Sequence, residues 1–139
     1  MQPMQPMQPM QRPLGVTILA ILAAIGGVLG ILAGLVLVGL SSAVAAADMA
    51  LPLSGAVAIL GVISVVVGVG DLAFAYGAWG LKPWAWMLGI VLEAVGIVVN
   101  LVEFRSATAS STVISVVISG AIIYYLYQPH VRRAFGQSV

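Results

Sequence analysis

The sequence predicts an all-α integral membrane protein, a four-helix bundle that occupies nearly the whole chain. Of the 139 residues, 62% are hydrophobic and only 6% are charged, whereas a soluble domain carries about 25% charged residues. The apolar residues also lie in continuous runs and do not alternate with polar ones. Because hydrocarbon leaves backbone groups to be satisfied within the protein, only helices and closed barrels span a bilayer. Continuous runs rich in Ala and Leu favour helices.

The runs divide the chain into one membrane domain with a tail at each end. Residues 1–12 repeat Met-Gln-Pro, a low-complexity pattern typical of disordered chain. Residues 13–130 form the predicted transmembrane domain, and residues 131–139 form a predicted cytoplasmic tail. The four spans are expected at residues 14–40, 51–81, 84–104 and 109–127, each close to or above the roughly 20 residues that cross a bilayer.

The first run has an alternative interpretation as a cleavable signal peptide. Arg12 precedes it and the small residues 43–47 follow it, as in a signal sequence. However, the apolar part of a signal peptide is usually 7–15 residues long, and residues 14–40 are all in one run. We therefore expect a retained first helix.

Basic and aromatic residues predict the orientation. With four spans, the two termini and the second connection lie on one side, and that side holds Arg12, Lys82, Arg132 and Arg133. The opposite side holds Arg105 as its one basic residue. Because cytoplasmic segments carry an excess of Lys and Arg, we expect a multi-pass protein of the cell membrane with both termini cytoplasmic. The tyrosines and tryptophans concentrate at the same ends of the runs, as in an interfacial belt.

The chain also shows signs of an internal repeat. Arg12 and Pro13 open the first run, and Lys82 and Pro83 open the third at an offset of 70 residues, with later Leu, Ala and Gly residues in register. A repeat would give two parallel helical hairpins related by an axis along the membrane normal. Chance similarity between apolar sequences of low complexity is the alternative.

Glycines in the first run predict a close helix contact. Gly26, Gly30 and Gly34 are spaced four apart, so they share one face on which another helix can approach closely. The partner is either the second helix, which has its own small residues, or a helix of a second copy.

Four polar residues inside the predicted spans form a candidate intramembrane site: Asp71, Glu93, Ser64 and Asn100. Asp71 precedes Lys82 by 11 residues and Glu93 follows it by 11, so two antiparallel helices place both acids about 16 Å from the turn. Because an ionised carboxylate in hydrocarbon is costly, we expect the acids to lie close together and to be protonated, hydrogen-bonded or bound to a cation. Ser115 and Ser119 add a polar face on the fourth helix.

The acids admit two interpretations. Intramembrane acids are candidates for proton or ion pathways, but protonated carboxyl groups also join helices through hydrogen bonds. The residues do not decide between them.

Residues 12–20 (Arg-Pro-Leu-Gly-Val-Thr-Ile-Leu-Ala) and 79–86 (Trp-Gly-Leu-Lys-Pro-Trp-Ala-Trp) resemble a diffuse group of uncharacterised small multi-span proteins of bacteria and archaea. This resemblance implies no known activity. Small multidrug transporters have four helices too, but their essential glutamate lies in the first helix, where this chain has no acid.

These observations favour a small membrane scaffold or accessory subunit that self-associates or joins a larger membrane complex. The alternative is a proton- or cation-coupled transporter or channel that uses Asp71 and Glu93. The chain has no cysteine and one histidine, outside the spans, so we expect no enzyme activity, cofactor or metal site. The expected partners are the lipid bilayer and other membrane subunits, with no nucleic acid.

Overall fold

The computed structural model describes residues 3–4, 11–47, 54–103 and 109–138, and within them the ordered elements are helices. The helices are α1 Leu14–Ala46, α2 Ser54–Trp79, α3 Pro83–Glu103, α4 Ala109–Leu126 and α5 Pro129–Ala134. Most of the predicted Met-Gln-Pro tail, residues 48–53, the third connection and Arg105 lie outside the described residues.

Three helices are long and apolar enough to cross a membrane: Leu14–Ala46, Gly55–Trp79 and Pro83–Leu101. A shorter apolar helix covers Ser110–Leu126. The predicted all-α membrane helical protein is confirmed at this level. Outside the helix contacts, much of the helix surface is both apolar and exposed.

The first helix is longer than its predicted span, because it continues from residue 40 to Ala46. Ser41 and Ser42 lie in this extension, and each hydroxyl donates to the carbonyl oxygen of Val38, at 2.8 and 2.9 Å. Hydroxyls that bond to a preceding turn are accommodated within a helix, so the polar pair does not end it. The 33 residues of α1 correspond to about 50 Å of helix, more than the roughly 30 Å of a bilayer core.

Helices α1 and α2 pack against each other through glycines. A Cβ atom on Gly27 would lie 2.7 Å from the carbonyl oxygen of Gly68, and one on Gly34 would lie 2.5 Å from that of Gly61. The order of these pairs along the two helices makes the helices antiparallel. The Ser64 hydroxyl donates to the carbonyl oxygen of Gly30 at 2.9 Å in the same contact. Backbone-to-backbone approach of this kind is the main packing interaction available between apolar helices in lipid.

The hydrophobic core lies at one end of the molecule, which we call the turn end because it contains the α2–α3 turn. Its buried residues come from all five helices or from the segments beside them: Val16, Ala20, Phe74, Ala78, Ala85, Trp86, Leu126, Val131 and Phe135. The start of α1, the end of α4 and the whole of α5 meet here. This cluster holds the two helical hairpins together at the turn end.

The α2–α3 turn is tightly closed. The amide of Lys82 donates to the carbonyl oxygen of Gly77 at 2.8 Å, and the amide of Leu81 donates to that of Ala78 at 3.1 Å. This is the Schellman arrangement that ends many helices. Leu81 takes the left-handed conformation, with φ of 51°, where glycine is usual. Pro83 then begins α3 at a position where its missing N–H costs no hydrogen bond.

The predicted C-terminal tail contains most of a short helix, since residues 129–134 form α5. Val131 and Phe135 are fully buried in the core. The side-chain Nε2 of Gln137 donates to the carbonyl oxygen of Pro83 at 3.1 Å, which attaches the segment to the α2–α3 turn. The sequence signal was weak because the two buried residues stand among arginines in a short polar stretch.

Candidate intramembrane polar site

Asp71 of α2 and Glu93 of α3 line one cavity of about 300 Å³. Residues of α1, α2, α3 and α4 all contribute to its wall, so it lies between these four helices. The two acids are partly buried. The structure therefore brings Asp71 and Glu93 to the same cavity, and their functional role stays a prediction.

The geometry of the α2–α3 turn explains why the two acids meet. Each is 11 residues from Lys82, and the turn reverses the chain within the few residues around Leu81. Equal distances along antiparallel helices give equal depth, about 16 Å from the turn. The same side of each helix must face inward, and the cavity lining satisfies that condition.

Glu93 has a further polar partner on α4. The hydroxyl of Ser119 is a hydrogen-bond partner of its carboxyl group. The sequence predicts Ser119 only as part of a polar face, because the spacing of residues within one helix does not tell which residue of another helix Ser119 contacts. The fourth helix thus supplies one polar side chain, the Ser119 hydroxyl, to the site.

Asp71 also lines a second cavity, of about 330 Å³, which contains Ser64 and Asn100. Both polar side chains already donate to a backbone carbonyl: Ser64 to Gly30, and Asn100 to Gly96 at 2.8 Å. Ser64 and Asn100 therefore line the cavity together with Asp71, while the Ser64 hydroxyl and the Asn100 side-chain N–H donate to the helix backbone. Their oxygen atoms retain acceptor capacity. Asp71 connects the two cavities.

Packed apolar side chains bound the first cavity toward the turn end. Phe74 and Leu126 line it there and are buried. Gly89 permits this packing, because a Cβ atom at that position would lie 2.6 Å from the Phe74 ring. These residues carry no signal in the sequence, because they are as apolar as the positions expected to face lipid.

The three predicted packing glycines have different surroundings. Gly34 lies in the α1–α2 contact, and Gly30 lies beside it, with its Cβ position 3.5 Å from the Cα atom of Gly68. Gly26 lines the first cavity instead, and nothing lies within 4 Å of its Cβ position. The structure places Gly27 in the close contact that the spacing had assigned to Gly26.

The site combines two carboxyl groups and one hydroxyl at a shared cavity. Within the described part of the chain, no group of three or more His, Cys, Asp or Glu residues is placed to hold a metal ion. Two neighbouring carboxyl groups in a medium of low dielectric constant tend to share one proton, or to take up a cation that offsets their charge. Comparison of the chain with family models, with characterised proteins and with solved structures gives no match.

Proposed function

We propose that this protein spans the membrane four times and binds a proton or a small cation at Asp71 and Glu93, as part of a coupled transporter or channel. The observation that carries the proposal is the cavity that both acids share between helices α1, α2, α3 and α4. The cavity has room for several water molecules. Solvated acids at mid-depth are the arrangement that ion and proton pathways use.

The adjoining cavity extends the same polar path. Ser64 and Asn100 line it with Asp71, and each lies seven residues further from the α2–α3 turn than the acid on its own helix, so polar groups continue from the two acids toward the opposite end of α2 and α3. A moving proton needs such a succession of acceptors and waters, because each bare step through hydrocarbon is costly.

The proposed topology has both termini and the α2–α3 turn in the cytoplasm. Contacts support the shared side: Arg12 stacks on Trp79 at the end of α2, and Gln137 bonds to Pro83 at the start of α3. The four spans correspond to two hairpins, α1–α2 and α3–α4. The two hairpins are proposed to have arisen by duplication. Their first helices differ in length, because α1 has 33 residues and α3 has 21.

Flux measurements on the purified protein in liposomes test the ion-handling function. Asp71→Asn and Glu93→Gln keep the shape of each side chain but remove the titrating group. We expect both variants to fold and to abolish proton or monovalent-cation flux. Glu103→Gln is the matched control, because it makes the same chemical change ten residues further along α3 and should keep the flux.

A membrane scaffold or accessory subunit, self-associating or bound to other subunits, is the second candidate. One observation favours it: the buried cluster with Phe74 and Leu126 closes the cavity toward the turn end. In this role the carboxyl groups would be hydrogen-bonded links between helices. Liposomes with wild-type protein that conduct no more than empty liposomes, together with normal folding of both amide variants, would favour the scaffold over the transporter.

A further inference from the structure

A groove with small residues at its base opens between α1 and α2 near the turn end. It has a volume of about 350 Å³, and Ile21 lines its apolar part together with three alanines, Ala20, Ala24 and Ala75. Tyr76 and Trp79 flank it and are 74% and 56% exposed, so the groove faces the surroundings of the protein. Alanines leave a channel where larger side chains would fill the space. The groove is separate from the two cavities that Asp71 lines.

The end of the groove nearest the α2–α3 turn is basic. Lys82 lines it, and the guanidinium carbon of Arg12 lies 4.1 Å from the centre of the Trp79 ring. Of the acidic residues in the described ranges, Asp71 and Glu93 lie about 16 Å deeper along their helices, and Glu103 is the last residue of α3, at the end opposite the turn. The described part of the chain therefore supplies no carboxylate that neutralises these two cations at the mouth of the groove.

The surroundings of Arg12 leave part of its hydrogen-bonding capacity unused. Its Nη1 atom is buried and has no hydrogen-bond partner among the described residues. The cation–π contact with Trp79 holds the guanidinium beside the ring but provides no hydrogen-bond acceptor. A planar guanidinium fixed in this way is suited to a phosphate group, which it binds with two parallel hydrogen bonds.

We propose that this groove binds an anionic phospholipid. Its phosphate lies between Arg12 and Lys82, and one acyl chain follows the alanines toward Ala24. Ala24 is 12 residues beyond Arg12 in the sequence, about 18 Å deeper in the membrane, so charge and apolar channel have the same order as headgroup and acyl chain. Tyr76 and Trp79 lie at the depth between them, where amphipathic rings favour the membrane interface.

Quenching of Trp79 fluorescence tests this site. The full-length protein is placed in phosphatidylcholine vesicles that contain 10–20% of a lipid with brominated acyl chains, either phosphatidylglycerol or phosphatidylcholine. The signal of Trp79 is the difference between the wild type and Trp79→Phe. We expect phosphatidylglycerol to quench Trp79 at a several-fold lower mole fraction than phosphatidylcholine does.

Charge variants separate a specific site from general attraction to an anionic surface. Arg12→Gln and Lys82→Gln should each weaken phosphatidylglycerol quenching about fivefold, and Arg12→Lys should lose less. Arg133→Gln removes an exposed charge at the same end of the molecule and should change quenching less than twofold. Ala24→Leu changes no charge but fills the groove, so it should reduce the quenching by both lipids.

Three results would overturn the proposal. Equal quenching by the two brominated lipids would show that the groove does not select the anionic headgroup. An equal effect of Arg133→Gln and Lys82→Gln would assign the attraction to the surface as a whole. Displacement of the lipid by millimolar inorganic phosphate would identify a site for the free ion. Thermal unfolding of each variant in detergent shows whether it is folded. If a charge variant does not fold, the Ala24→Leu variant tests the groove without any change of charge.

Discussion

At the scale of single residues, Trp86 makes a buried polar contact between α3 and α4. Its indole Nε1 donates to the carbonyl oxygen of Leu126 at 2.8 Å, and both residues are buried. Leu126 is the last residue of α4, where carbonyl groups lack partners within their own helix. The tryptophan therefore completes the end of α4 and connects it to α3.

Trp86→Phe should lower the free energy of unfolding by about 1–3 kcal/mol, because it leaves the buried Leu126 carbonyl without a donor. Thermal or denaturant unfolding in detergent, followed by circular dichroism, measures the loss. Trp84→Phe is the matched control, since Trp84 is 47% exposed and should change stability by less than about 0.5 kcal/mol. Equal losses for the two variants would contradict a specific role for the hydrogen bond.

At the scale of elements, the contact between α1 and α2 depends on glycines spaced seven apart. Gly27 meets Gly68, and Gly34 meets Gly61. Seven residues are close to two helical turns, so each pair recurs on the same face as the helices run past each other. The close approach of the two backbones leaves no room for a side chain larger than hydrogen at these four positions.

Gly34→Ala and Gly68→Ala should each destabilise the protein by about 1–3 kcal/mol, because the added methyl group overlaps the facing backbone. Gly26→Ala is the control on the same helix, with nothing within 4 Å of its Cβ position, and it should be neutral or slightly stabilising since alanine favours helix over glycine. Unfolding in mixed detergent micelles compares the three. Greater sensitivity at Gly26 than at Gly34 would place the contact on the neighbouring face.

These glycines show how far the sequence leads. The apolar runs predicted the helices, because spanning a bilayer requires continuous apolar helix. The spacing of Gly26, Gly30 and Gly34 predicted a contact face. Gly27 and Gly34, which are seven residues apart, define a neighbouring face that includes Gly34 as well. Only the position of α2 distinguishes the two faces, and that position depends on the whole packing arrangement. A single-helix pattern does not contain this information.

The polar site was more predictable than its walls. The distances of Asp71 and Glu93 from Lys82 fixed their depth, because a tight turn leaves little freedom in how two helices align. Ser119 was harder to place, since the third connection precedes it and the number of residues in a connection does not fix the rotation of the next helix. Val131 was missed entirely, because it packs on the core from a short segment with little apolar periodicity.

At the scale of the whole molecule, two helical hairpins meet at the turn end. The core there combines the start of α1, the α2–α3 turn, the end of α4 and α5. The same end holds Arg12, Lys82, Arg132 and Arg133, and the aromatic rings that contact two of these arginines. Both packing and charge thus set this end apart from the opposite one, where α1 extends to Ala46.

We predict that the turn end faces the cytoplasm, because basic residues near the ends of spans remain on that side. The chain has no cysteine, so single substitutions provide unique labelling sites. Ala47→Cys and Ser138→Cys are the matched pair, since both positions are exposed and lie at opposite ends of the helices. In intact cells an impermeant thiol reagent should label Ala47→Cys, and it should label Ser138→Cys only after the membrane is permeabilised. The reverse pattern would invert the proposed topology, and labelling of both sites in intact cells would place α1 and the C-terminal segment in a topology other than four spans.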